Sequence, residues 1–260
     1  MILILAAILA FSGYAIGQEN ADTIIQQSGQ AIKRDWEAAP EFDCRERDRN
    51  ASGTRTYEDT MIEGSPYQRL VALNGKPLAP SQAAEEKRKL DDTITRRKNE
   101  SPHERAERIA KYQKEQKRNH AMMSEMVKAF NFEVVGETKM DGHRVYALKA
   151  TPRRGYRPPN METQALTGME GKLWIDKDSF QWVKVEAEVM HPVSIEGFLA
   201  QVEPGTRFEL EKEPVAPGVW LPSHFSMRSH AKILFLIPHR GQEDDTYSDC
   251  HRSTPASETN

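Results

Sequence analysis

Between Phe180 and Met190 the sequence alternates strictly. Val183, Val185, Ala187 and Val189 fall on one side of an extended chain, and Trp182, Lys184, Glu186 and Glu188 on the other. Successive side chains of a strand point to opposite faces, so this segment predicts a strand with one buried and one mostly wet face. Such a strand belongs in an antiparallel sheet, because strands of parallel sheets are apolar on both faces. The same signature recurs through the C-terminal half: Phe132–Val134, Val145–Leu148, Gly171–Ile175, Arg207–Glu211 with Phe208 and Leu210, Trp220–Met227 and Ile233–Ile237. Asp141–Gly142 and Asp176–Ser179 supply turns between them. The stretch Thr151–Gly168, carrying Arg153, Arg154 and Arg157, is expected to lack regular structure.

The N-terminal half is organised differently. Asp22–Trp36 predicts a helix with Ile24, Ile25, Ala31, Ile32 and Trp36 on one stripe, ended by Pro40. Phe42–Tyr57 is strand material turning through Asn50–Gly53, and Tyr67–Leu73 is a strand closed by Asn74–Gly75, a strong hairpin signal. Ser81–His120 then holds twelve Lys and Arg against eight Asp and Glu, with no Phe or Trp. Ser101–Pro102–His103–Glu104 is a capping box with Pro at the first helical position. It predicts the end of one helix, about 82–98, and the start of another, about 102–129. The second turns apolar at Met122, Met123, Met126, Val127 and Phe130. The charged stretch reads as a solvated face, or alternatively as a basic surface for anionic lipid headgroups or a partner. The fold class expected is α+β: an antiparallel meander with helices placed early and in one long charged insertion, 81–129.

Ile2–Phe11 is an unbroken apolar run followed by Ala15–Ile16–Gly17, the pattern of a secretory signal cleaved before Gln18, although no Lys or Arg precedes the run. It is shorter than the ~20 residues that span a bilayer; an ordinary buried N-terminal helix is the alternative. The expected organisation is a signal peptide over 1–17, one α+β domain over 18–250 and a disordered tail over 251–260. The location implied is periplasmic or secreted. In an oxidising compartment Cys44 and Cys250 can pair, joining the first strand to the last; otherwise they are two unrelated thiols. A net charge of −3 and a pI near 6.3 argue against a nucleic-acid partner. The eight His residues and two Cys show no metal-binding spacing, and neither a nucleophile elbow nor a phosphate-binding loop occurs. No catalytic residue, metal or cofactor is therefore expected, and the protein is not expected to be an enzyme.

The large apolar residues of the β half are either core or, if the sheet curves over its helices without closing, the lining of an apolar groove. The candidate ligand-binding set is Val183, Val185, Ala187, Val189, Phe208, Leu210, Phe225 and Met227, all facing inward, with Trp182, Lys184 and Glu186 on the outer face. Gly142–His143–Arg144–Val145–Tyr146–Ala147–Leu148, then Gly171–Lys172–Leu173–Trp174–Ile175–Asp176, and Trp220–Leu221–Pro222 resemble the strand motifs of the LolA/LolB-like periplasmic lipoprotein-carrier superfamily. The resemblance covers about 130–230, and 22–75 loosely; the charged helices of 81–120 depart from it. It implies a half-open antiparallel barrel with helices on its concave face and a groove for lipid or lipoprotein acyl chains. An envelope protein partner on the same scaffold is the alternative it allows.

Overall fold

The computed structural model describes residues 20–195, 200–233 and 237–253, without the side chains of Asn119, Met122 and Glu162. The expected signal segment 1–17, its cleavage point, the middle of the expected strand Ile233–Ile237 and the end of the tail lie outside the described residues. Helix α1 (Ala21–Ala38) and a 3-10 turn (Ala39–Glu41) lead into β1 (Phe42–Asn50), β2 (Gly53–Ile62), β3 (Ser65–Leu73) and the two-residue β4 (Lys76–Pro77). Helices α2 (Pro80–Lys98) and α3 (Pro102–Ala129) follow, then β5 (Phe130–Met140) and β6 (His143–Pro152). The short helix α4 (Met161–Gln164) and a 3-10 turn (Ala165–Gly168) precede β7 (Met169–Asp176), β8 (Trp182–Val189), β9 (Val193–Ile195) and β10 (Ala200–Val202). The chain continues through β11 (Arg207–Ala216), β12 (Val219–Ile233) and β13 (Ile237–Arg252).

One antiparallel sheet runs in the order β4-β3-β2-β1-β13-β12-β11-β8-β7-β6-β5, with β10 and then β9 beside the far end of β12. Its two ends are not paired with each other, so the architecture is the expected α+β open half-barrel. Hairpin turns set much of the register. At Asn74–Gly75 and Asp141–Gly142 both residues have positive φ, between 48° and 86°, a combination that Asn, Asp and Gly tolerate and that matches the twist of the flanking strands. Strand β1, between β2 and β13, is paired to β13 from Phe42↔Arg252 to Asn50↔Glu243, and the Cys44–Cys250 disulfide, 206 residues apart in sequence, locks that pair.

Helix α1 starts on Asn20, whose side chain accepts from the Asp22 N–H, and buries Ile24, Ile25, Ala31 and Ile32. Its three isoleucines, with Met123, Met126 and Val127 of α3, pack on Tyr146, Leu148, Leu173, Ile175, Trp182 and Val185. Helices therefore cover the inner face of the sheet. The α2–α3 junction is the expected one. Ser101 Oγ accepts from the Glu104 N–H at 3.3 Å, and Glu104 Oε2 accepts from the Ser101 N–H at 2.9 Å. The insertion is not merely a solvated face, however. Arg97 is buried and donates to the carbonyls of Ile62, Ser65 and Pro66, and Arg108 donates to the Glu63 carbonyl and to Ser65 Oγ. The two arginines fasten the helical hairpin to the β2–β3 turn through its backbone carbonyls.

Three further expectations are corrected. The segment 151–168 carries the end of β6, helix α4 capped by Asn160, and a 3-10 turn burying Leu166. The chain beyond Cys250 stays ordered through Arg252, which pairs with Glu41 at 2.5 Å, and Ser253, which bonds Asp43. The third correction concerns the strand from which the alternation was read. Pairing slips by one residue there: Trp174 is opposite Lys184 but Ile175 is opposite Trp182. A bulge of this kind leaves one residue unpaired and turns its neighbours over. Trp182 consequently faces inward, its indole N–H donating to Ser28 of α1, and Val183 faces outward into a cluster with Val145 and Trp220.

Candidate functional site

The inner face is built from rows of side chains that run across strands in register. One row is Val185–Leu210–Phe225, and its neighbour is Ala187–Phe208–Met227. Val189 continues β8 on the same side, packed on Met169 and Leu166. The structure thus places seven of the eight expected residues on one face and removes Val183. Lys184 and Glu186 lie on the opposite face as expected, with Lys184 paired to Glu186, Glu209 and Glu211.

This part of the face is filled. Between Met126 and Val127 of α3 and the strands bearing Trp182, Val185 and Phe208 the free cavity is about 30 Å³, room for little more than one water. The packing loosens toward β12, where Met227 is 36% exposed. A larger, open groove of about 680 Å³ lies between the end of α1, β2 and the middle of α3, lined by Trp36, Pro40, Met61 and Tyr112 and, on its polar side, by Glu37, Gln113, Gln116 and Lys117. The Trp36 and His120 rings stack at 4.5 Å at this boundary between α1 and α3.

Beyond Phe225 and Met227 the same rows change character. Phe225 is opposite Asp245, and Asp245 is opposite Asp48; Met227 is opposite Glu243, and Glu243 is opposite Asn50. An open cavity of about 470 Å³ lies here, lined by Glu46, Asp48, Glu243 and Asp245 with Tyr57 and Gln68. Glu46 accepts from Gln68 Nε2 at 2.6 Å and lies within hydrogen-bonding reach of Asp59. Burial first, then the charge and hydrogen bond of Asp59 and the charges of Asp245 and Asp48, push the Glu46 carboxyl up to about 8. Burial and the neighbouring Glu243 and Asp48 push Asp245 up to about 6. Burial also raises Asp59, and burial with the Glu46 charge raises the Tyr247 phenol.

None of these carboxylates was singled out from the sequence. Their signal is present in Arg45–Glu46–Arg47–Asp48–Arg49, where charge alternates with period two, so that a strand separates bases from acids by face. What the segment does not carry is which face is the inner one. Among the described residues no group of His, Cys, Asp and Glu is arranged to hold a metal ion, and no helix is long and apolar enough to cross a membrane.

The class defined by this architecture is an open α+β half-barrel with helices laid on its inner face. No protein-family model and no curated protein matches the chain. Among solved structures it is similar to a domain assigned to outer membrane lipoprotein sorting from Vibrio parahaemolyticus, at 13% identity and a TM-score of 0.38, covering 92% of this chain and 96% of that one. It is likewise similar to a LolA superfamily protein from Nitrosomonas europaea, at 12% identity and a TM-score of 0.34, covering 91% and 94%. A DUF1329 family protein from Desulfovibrio piger matches at 12% identity and a TM-score of 0.33, covering 90% and 95%. These are likenesses of overall fold at low identity, and they say nothing of ligand.

Proposed function

We propose that the protein is a periplasmic or secreted carrier that shelters an apolar ligand, the acyl chains of a lipid or lipoprotein, beneath its helical cover without covalent chemistry. The observation that supports this most is the open groove of about 680 Å³, with a largely apolar floor, between α3 and the end of α1. Helix α3 is fastened near its start by Arg108 and at its end by Met123, Met126 and Val127, and its middle lines the groove through Tyr112, Gln113, Gln116 and Lys117. A volume of this order suits a small apolar ligand, and each methylene removed from water there contributes roughly 0.8 kcal/mol. In this reading the chain enters beside Trp36, Met61 and Tyr112. Val185, Ala187, Val189, Phe208, Leu210, Phe225 and Met227 extend the apolar surface when the cover shifts. The exposed Lys and Arg of 81–120 would meet anionic headgroups, without Arg97 and Arg108, which are engaged with the β2–β3 turn.

A titration with a fluorescent long-chain fatty acid tests the reading. The wild type should take up the probe saturably, and Met61→Arg, at the wall of the cavity, should weaken uptake by about tenfold or more while leaving the fold intact. Native mass spectrometry of protein drawn from its own envelope should show co-purified lipid. No saturable uptake and a clean apo mass would remove the carrier reading. They would shift the weight to an envelope protein-interaction or sensor module, which the filled β8–β11 face favours, since nothing there needs to open.

A further inference from the structure

We propose that the acidic trough between β1, β2 and β13 is a binding site for a linear aliphatic polyamine. The inference does not depend on the carrier reading. Its first support is the separation of charge by face. Strands β1 and β13 carry Arg45, Arg49 and Asp244 outward, where Arg49 pairs with Asp244 at 2.8 Å and Arg45 with Asp249 at 3.0 Å. Their inward positions carry Glu46, Asp48, Glu243 and Asp245, which line one open cavity of about 470 Å³. The acids of the trough thus face one another.

The second support is Asp245 itself. It lines the trough at 5% exposure, its Oδ1 has no hydrogen-bond partner, and its carboxyl lies within hydrogen-bonding reach of the Glu243 carboxyl, so that two acids crowd one another there. A buried carboxylate oxygen left unpaired is costly, and natural structures rarely keep one without a proton, water or ion to meet it. The arrangement does not suit a single metal ion: no group among the described residues converges as a metal site would, and a hard cation needs about six to eight oxygens around one point. The acids are instead spread at sheet spacings, about 4.8 Å between strands and about 6.6 Å between alternate residues of one strand. Ammonium groups separated by short methylene runs match a spread of this kind. The methylenes would lie along Met227 at the apolar end, and Tyr57 offers a ring face to an ammonium group.

Isothermal titration of the mature protein with spermine at pH 8, in about 0.15 M salt to screen diffuse attraction, tests the proposal. Saturable binding that magnesium at equal charge does not displace is expected. Asp245→Asn and, separately, Glu243→Gln should each weaken it by about tenfold or more, while Asp244→Asn, the same change in charge one residue away on the opposite face, should leave it unaltered. Thermal unfolding of each variant establishes that it is folded, and Glu243→Gln serves if Asp245→Asn is not. No saturable binding would overturn the proposal. So would equal loss in Asp244→Asn, which would mark net charge alone, or tighter binding of a lysine-rich peptide at matched charge, which would mark a polypeptide partner.

Discussion

Asp35 has more depending on it than any other single side chain of α1. Its Oδ1 accepts from the Trp220 N–H and from Gln181 Nε2, both at 2.9 Å, and its Oδ2 meets the ammonium of Lys212. Both charged side chains are at least nine-tenths buried. Burial pulls the Lys212 ammonium below its ordinary range, and Asp35 opposes that pull. Removing the acid alone leaves a buried cation and two buried donors without partners. Asp35→Ala should therefore destabilise the fold by about 3–5 kcal/mol. Asp35→Asn combined with Lys212→Met should recover much of that loss, since no unpaired charge remains. Urea midpoints at unchanged slope measure both; a loss in the double variant as large as in Asp35→Ala would show that hydrogen bonds rather than charge set the cost.

Glu46 makes an opposite prediction at the same scale. Its carboxyl is raised from an ordinary 4.5 to about 8, so between those values the folded chain holds protons that the unfolded chain releases. Stability from this group is full below about pH 4.5 and is lost as pH rises through about 8. Glu46→Gln should raise the Tm at pH 8 and change it little at pH 5. Equal Tm shifts at both pH values would mean the carboxyl titrates normally.

At the scale of elements, the chain is tied together by pieces far apart in sequence. Strand β1 pairs with β13 across most of the chain, and Cys44–Cys250 spans 206 residues. Closing so long a loop in the unfolded state stabilises the fold by as much as about 5 kcal/mol on the chain-entropy account. Cys44→Ser with Cys250→Ser should lower the urea midpoint clearly and raise hydrogen exchange first in β1 and β13. An unchanged midpoint would show that the strand ladder alone suffices. Helices α2 and α3 were legible at this scale, because a capping box, Pro102 and a shift from charged to apolar residues are local signals. Their anchoring through Arg97 was not legible, because the carbonyls it meets lie some thirty residues earlier.

At the scale of the whole molecule, the inner face divides into an apolar half closed by α1 and α3 and an acidic half left open. The closed half has about 30 Å³ to spare beside Val185, and interiors tolerate little added volume or unpaired charge. Val185→Arg should accordingly cost the native fold, read as loss of the cooperative thermal transition; a folded variant would show that the cover opens readily at this point.

Strand β13 was not legible, because its residues are mostly polar and carry no apolar alternation. Most of the other strands, the hairpin turns at Asn74–Gly75 and Asp141–Gly142, the helix from Pro102 to Ala129 and the availability of two cysteines for pairing follow from the residues alone. Each depends on neighbours a few positions away. The tertiary structure decided the rest. Trp182 turns inward and Val183 outward because β7 and β8 slip by one residue where they pair, and a register slip is a property of two strands together. Glu46, Asp48 and Asp245 share one trough because β13 returns to lie against β1 after some two hundred residues. Alternation tells which side chains share a face of one strand; only the packing of helices against the sheet decides which face is sheltered.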